Sequence, residues 1–163
     1  MGSNPTKAAN NIYCKCRYEA AKYNDRLYSR EGASELLGIS VSTLSDYELG
    51  NTKVVPVDKV VLMADLYNSP ELLNNYCTTE CPIGCRSIRK LEVAELDRLT
   101  LKVLSAFQKV GYIKETLIDI AADGVITTSE KPQFEDVISA LENISQYAQE
   151  LKLWAEKNMA KEE

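Results

Sequence analysis

Cys14 and Cys16 stand two residues apart, Cys77, Cys81 and Cys85 recur at intervals of four, and no histidine accompanies them. Four thiolates suit a Zn2+ ion or an iron–sulfur cluster, although these intervals are not the C-x2-C pairs such centres commonly use. Three readings stay open for Cys14, Cys16, Cys77, Cys81 and Cys85: reduced structural thiols, a zinc or iron–sulfur site, and disulfides. The first asks least of the sequence. The opening MGSNPTKAANN lacks the apolar core of a secretory signal, so the expected compartment is the reducing cytoplasm, where five thiols are not a disulfide framework by default. The absence of histidine also removes the commonest general base and the Ser-His and Cys-His nucleophile pairs. No glycine-rich phosphate loop is present either. An enzyme is therefore not expected, and no cofactor is required.

A second chemical pattern lies at residues 119–130, DIAADGVITTSE. Asp119, Asp123, Gly124, Ile126, Thr127 and Glu130 fall at positions one, five, six, eight, nine and twelve of a calcium-binding loop. Ala121 stands at position three, where an oxygen ligand is needed, so the ligand set is short by one. The alternative is purely structural. Asp123-Gly124 makes a turn, Thr128 or Ser129 caps the following helix, and Glu130 sits in its first turn, where the helix dipole favours an acid.

Helices position these groups. Residues 1–11 are small and polar and are expected to form a tail. Helix signals follow over Ile12 to Asn24, from Ser29 to Gly38, from Ser40 to Leu49, and over Pro56 to Tyr67, with a last short turn from Ser69 to Tyr76. Residues 77–86, rich in Thr, Pro and Gly, read as a compact linker. Beyond it the period changes to a heptad. Leu96, Leu99, Val103, Ala106, Val110, Ile113, Leu117 and Ile120 make one apolar seam. Phe134, Val137, Leu141, Ile144, Ala148, Leu151 and Ala155 make another.

With Asp123-Gly124 between them, the two seams describe an antiparallel helical hairpin over residues 87–158, leaving 159–163 as a tail. Leu104, Phe107, Ile118, Ile138, Leu153 and Trp154 add more apolar surface than one partner helix can cover. The hairpin then either packs on its own N-terminal domain or pairs with a second hairpin. A homodimer is the favoured reading, because two helices alone bury too little surface to be stable.

The string SREGASELLGISVSTLSDYELG at residues 29–50 has the layout of a helix-turn-helix. Ser29 caps the first helix, Ser34 is small where two helices cross, Gly38 supplies the turn, Ile39 and Leu44 plug a shared core, and Ser40 caps the second helix. This spacing, continued through ELGNTKVVPVDKVVLMADLYNSPELL, resembles the lambda-repressor-like (Cro-type, XRE) helix-turn-helix family over residues 12–76. The resemblance implies an all-α protein with a five-helix DNA-binding domain at its N-terminus. It also implies that Val41, Ser42, Thr43, Ser45 and Asp46 face the bases. Arg30 would meet a phosphate, and Asn51, Thr52 and Lys53 the backbone. Glu48 matches a family position that makes an ion pair with the first helix, with Arg17 or Lys22 as partner. The family's chain ends lie near each other, which would bring the five thiols together.

The net charge of −5 weighs against a nucleic-acid partner, but its distribution softens the objection. Residues 1–30 carry six cations against two acids, whereas residues 87–163 carry ten against fourteen. The recognition helix itself has no Arg, Lys, Asn or Gln. Val41 can touch a thymine methyl, hydroxyls can bond either way, and Asp46 can accept only from cytosine. The expected function is a dimeric, sequence-specific DNA-binding transcriptional regulator whose partner is double-stranded DNA and not a membrane, since no run approaches the roughly 20 apolar residues of a span. The alternative is a protein-interaction adaptor or antirepressor on the same scaffold, with thiol or metal responsiveness as a refinement.

Overall fold

A computed structural model describes residues 7–159, and every regular element among them is helical. The chain divides between Lys90 and Leu91 into two compact units.

The first unit holds α1 (Ile12–Ala20), α2 (Arg30–Leu37), α3 (Val41–Leu49), α4 (Val57–Leu66), α5 (Glu71–Thr79) and the single turn α6 (Gly84–Ser87). Polar side chains start the first three helices. The Asn11 carboxamide accepts from Tyr13 N at 2.9 Å, Ser29 Oγ from Gly32 N at 3.0 Å, and Ser40 Oγ from Thr43 N at 3.1 Å. Gly38 and Gly50 end α2 and α3 in the left-handed conformation, at φ 62° and 70°, where a side chain would be strained. The helices close over a core in which Leu27, Ala33, Leu44, Val60, Met63 and Leu72 are sealed from solvent. Ser34 is buried at the crossing, and Ile39 packs on the same core, as their positions in the motif suggested.

Three boundaries differ from the sequence reading. The expected tail over 1–11 falls partly outside the described residues. Within them, Lys7–Asn10 form a short 3-10 turn and Asn11 caps α1. The first helix stops at Ala20, not Asn24, because Asn24 accepts from Arg26 N and starts a separate 3-10 turn, Asp25–Tyr28.

The segment from Cys77 is also not a plain linker. α5 runs through it to Thr79, with the Thr78 and Thr79 hydroxyls donating back to the carbonyls of Asn74 and Asn75. The Glu80 carboxylate then accepts from Tyr13 Oη and Val55 N, both at 2.7 Å, tying the end of α5 to α1 and to the loop before α4. α6 packs back on α5 so closely that a Cβ at Gly84 would strike the carbonyl of Cys77.

The second unit comprises α7 (Leu96–Phe107), α8 (Val110–Ala121) and α9 (Lys131–Met159). α9 has 29 residues, a length of about 43 Å. α7 and α8 lie in turn along it, giving the expected antiparallel hairpin with one arm interrupted. The interruption falls at Gln108-Lys109, where Lys109 N bonds to Ala106 O three residues back and a glycine, Gly111, follows. Leu99, Ala106, Ile113 and Ile120, seven residues apart, are buried against α9, whose Val137 and Leu153 are buried in return. Among them sits a charged cluster. Glu150, sealed from solvent, accepts from Lys102 Nζ, Gln146 Nε2 and Glu92 N, each at 3.0 Å. No helix among the described residues is long and apolar enough to cross a membrane.

Candidate nucleic-acid interface

The second helix of the motif, α3, is held by a buried cross-brace. Glu48, near its C-terminus, is fully buried and accepts from Arg17 of α1 through both oxygens, at 2.6 Å from Nε and 3.1 Å from Nη2. Arg17, equally buried, also donates Nη1 to the carbonyls of Leu27 and Tyr28. Arg30, the first residue of α2, adds Nε to Glu48 Oε2 at 2.8 Å. Burial alone would push the Glu48 carboxyl up, but the hydrogen bonds and charges of Arg17 and Arg30 outweigh it and hold the group below the usual carboxylate range. A further bond, from Asn11 Nδ2 to Tyr47 O at 3.0 Å, ties the cap of α1 to the end of α3. Three helices thus meet on one carboxylate, which fixes how α3 presents its outer face.

That face carries the residues singled out from the sequence. Val41, Ser42 and Asp46 are exposed, and Thr43 and Ser45 half-buried, while Leu44, Tyr47 and Glu48 point into the core. The hydroxyls at the start of α3 form a knot. Ser40 Oγ lies 3.0 Å from Ser42 Oγ and 2.8 Å from Thr43 Oγ1. Asp46 accepts from Asn51 Nδ2 at 3.0 Å, so the amide assigned to the DNA backbone is spent in part on holding that acid. Thr52 is half-buried and Lys53 exposed in the loop that follows.

Arg30 is only partly free to meet a phosphate, because its Nε is committed to Glu48. Its terminal amino groups have no protein partner among the described residues. The side chain lines an open cleft of about 590 Å3 with Tyr18, Tyr28 and Glu31, at the N-terminus of α2, where backbone N–H groups favour an anion. Tyr18 and Tyr28 were not singled out from the sequence. The interleaving of cations and tyrosines in RYEAAKYNDRLYSR was the available signal. The Arg17 guanidinium sits 4.5 Å from the centre of the Tyr18 ring, holding that ring at the cleft wall.

These features have one arrangement in common: two short capped helices, a tight glycine turn, and a buried Arg–Glu brace to the helix before them. The helix-turn-helix family model matches residues 21–73. That segment is a lambda-repressor-like, XRE-type helix-turn-helix domain. No curated protein and no solved structure matches the chain. Within the matched segment α2 and α3 are the paired helices and α4 follows them, while α1, which carries Arg17 of the brace, precedes the match. The matched family is one of DNA-binding regulators.

The remaining candidates are dispersed. Cys14 and Cys16 are buried on α1, Cys77 and Cys81 are half-buried, and Cys85 is exposed. Cys14 faces the brace, and its thiol is pushed up by burial and by the Glu48 charge, with Arg17 and Arg30 opposing. Cys16 Sγ lies 3.9 Å from Glu71 Oε1, and Cys81 Sγ accepts from Gly84 N at 3.4 Å. Among the described residues, no three Cys, Asp or Glu side chains are grouped so that they could hold a metal ion. The convergence of five thiols that the resemblance implied is therefore not what the fold produces: α1 buries its two cysteines in the core, while Cys81 and Cys85 follow α5.

The calcium-like loop does the same with its ligands. Asp123 Oδ1 accepts from Val125 N at 3.0 Å, forming the turn in which Gly124 has φ 73°. Glu130 Oε2 accepts from Thr127 N at 2.8 Å and Thr127 Oγ1 at 2.6 Å, a capping arrangement ahead of α9, while Asp119 belongs to α8. The carbonyl of Thr127 accepts from Glu130 N and Lys131 N, one residue ahead of the caps expected at Thr128 or Ser129.

Proposed function

We propose that the protein is a transcriptional regulator that binds a two-fold DNA site as a homodimer, with α3 of each copy in the major groove. The observation that carries this reading is the buried Arg17–Glu48–Arg30 brace, which holds the exposed start of a recognition helix rigid inside a domain of a DNA-binding family. Val41 offers a methyl contact, and Ser42, Thr43 and Ser45 supply hydroxyls to base edges. Arg30, through its terminal amino groups, and Lys53 take phosphates, with Thr52 and Asn51 beside them. Since hydroxyls discriminate poorly, half-site spacing and DNA shape contribute to the selection.

A double Ser42→Ala, Thr43→Ala variant tests the base contacts. It should lose about tenfold or more in preference for the selected site over random duplex while keeping non-specific binding. Unchanged preference would remove α3 as the reader.

A specific observation favours a second reading, a protein-interaction adaptor. The exposed face of α3 presents an acid, Asp46, and no cation, in a chain of net charge −5. On that reading the protein binds no genomic fragment even at low salt, and the double variant keeps its protein partner.

A further inference from the structure

The second unit uses only half of its heptad pattern internally. Leu99, Ala106, Ile113 and Ile120 are buried, but the companion line three residues earlier, Leu96, Val103, Val110 and Leu117, stays half or fully open. On α9, Leu141 and Ala148 are exposed seven residues apart, between the half-buried Phe134 and Ala155. Between these open lines lies an apolar groove of about 380 Å3. Its floor includes small side chains, Ala106, Ala148 and Ala155, and Phe107, 55% exposed, stands in its wall.

We infer that this groove is the dimer interface, and that a second copy of the same hairpin occupies it to form an antiparallel four-helix bundle. The inference deepens the dimer part of the proposed function and does not depend on DNA binding. Three features select this occupant. Open apolar positions seven residues apart on both arms match a partner made of helices with the same repeat, since knobs enter holes only at that spacing. One patch carries both the knob, Phe107, and a trough of alanines. That combination suits a two-fold interface, where the same surface must fit itself. The area is also of the right order. Leu96, Phe107, Val110 and Leu141 are exposed and about five further apolar side chains of the two lines are half-buried. Together they offer on the order of 500 Å2, so that two copies bury about the 1000 Å2 a specific interface needs. Lys152, at the edge of the groove, is ion-paired to Glu156 at 3.7 Å, leaving the rim polar and the centre dry.

The test is sedimentation equilibrium of the full chain and of three variants: Ala148→Glu, Phe107→Glu and Gln149→Glu. Ala148 and Gln149 are both exposed neighbours on α9, so the last variant adds the same charge one position away from the groove. Wild type and Gln149→Glu should be dimers at low micromolar concentration. Ala148→Glu and Phe107→Glu should weaken association about 100-fold or more, with helix content by circular dichroism unchanged. A wild-type chain monomeric at high micromolar concentration overturns the inference, including the case where native mass spectrometry finds an apolar small molecule in the groove. A dimer indifferent to both groove variants overturns it as well, by placing the interface elsewhere. Salt-dependent binding of the monomeric variants to a single half-site would show that the DNA reading stands whatever the dimer result.

Discussion

The two units of this chain are stabilised in different ways. In the first, α1, α2 and α3 each begin on a side-chain cap, two of them end on a left-handed glycine, and a carboxylate shared by two arginines locks them together. In the second, α7 and α8 have no side-chain cap, and the hairpin is held by one apolar line and the Lys102–Glu150 cluster. Short helices of eight to ten residues cannot stand on propensity alone, so their ends and crossings must be fixed locally. Long helices can rely on repetition, and repetition leaves a second face seeking a partner. The first unit gathers its buried side chains into one core, whereas the second leaves one of its two apolar lines open.

Removing Glu48 should break that comparison most severely. Glu48→Ala leaves Arg17 buried without its counter-charge, at a cost of about 3–5 kcal/mol to the first unit. In urea the single variant should show an early transition for residues 7–90 by hydrogen exchange while the hairpin keeps its protection. A uniform loss of protection would mean the two units fold as one.

Lys102→Met is the matching test on the other side. It strips Glu150 of its cation but leaves it the Gln146 and Glu92 N–H donors. About 1.5–3 kcal/mol should be lost from the hairpin alone. Gly32→Ala comes next, because a Cβ there would strike the carbonyl of Arg26. It should destabilise the first unit by about 1–3 kcal/mol, read as a shift in its urea midpoint. Ser40→Ala removes the cap of α3 and should cost about 1 kcal/mol, with the first turn of that helix fraying first.

Acid sharpens the contrast by a different route. The Glu48 carboxyl is held below the usual range, so its contribution is complete above the ordinary glutamate value and is lost as pH falls through its own depressed one. The Glu92 carboxyl is lowered too, by Lys102, but it is exposed and screened, so it adds little. The first unit should therefore unfold before the second as pH drops below the glutamate range, followed by residue-resolved exchange.

Much of the first unit was legible because its signals are local. Ser29, Ser40, Gly38 and Gly50 act within one turn, and their roles are independent of anything distant. The Arg17–Glu48 pair was readable only through the family resemblance, which named Arg17 and Lys22 equally. Packing decided for Arg17, whose guanidinium also reaches two carbonyls. What could not be read was long-range. Asn11 donates to Tyr47, and Glu80 joins Tyr13 to Val55; neither contact leaves any periodic trace in the chain. Gly32 looked like an ordinary helix residue until the Arg26 carbonyl was seen against it.

The cysteines and the calcium-like loop show the converse. Spacing suggested ligands, but three-dimensional placement spends Cys14 and Cys16 on the core and Glu130 on a cap. In the hairpin, the heptads correctly gave both arms. Which of the two apolar lines would be internal depended on how α7 and α8 settle on α9, and the break at Gln108-Lys109 was invisible to a periodicity that continues across it.

The most direct test of the central claim is fluorescence anisotropy of labelled duplex DNA with the full chain over a series of salt concentrations. With Arg30 and Lys53 in each of two copies meeting phosphates, the log of the binding constant should fall with log salt at a slope of about −4. Arg30→Ala should flatten that slope by about 2, one phosphate contact per copy. Absence of binding at the lowest salt, or a slope unmoved by Arg30→Ala, would contradict the DNA-binding face assigned to α2 and α3.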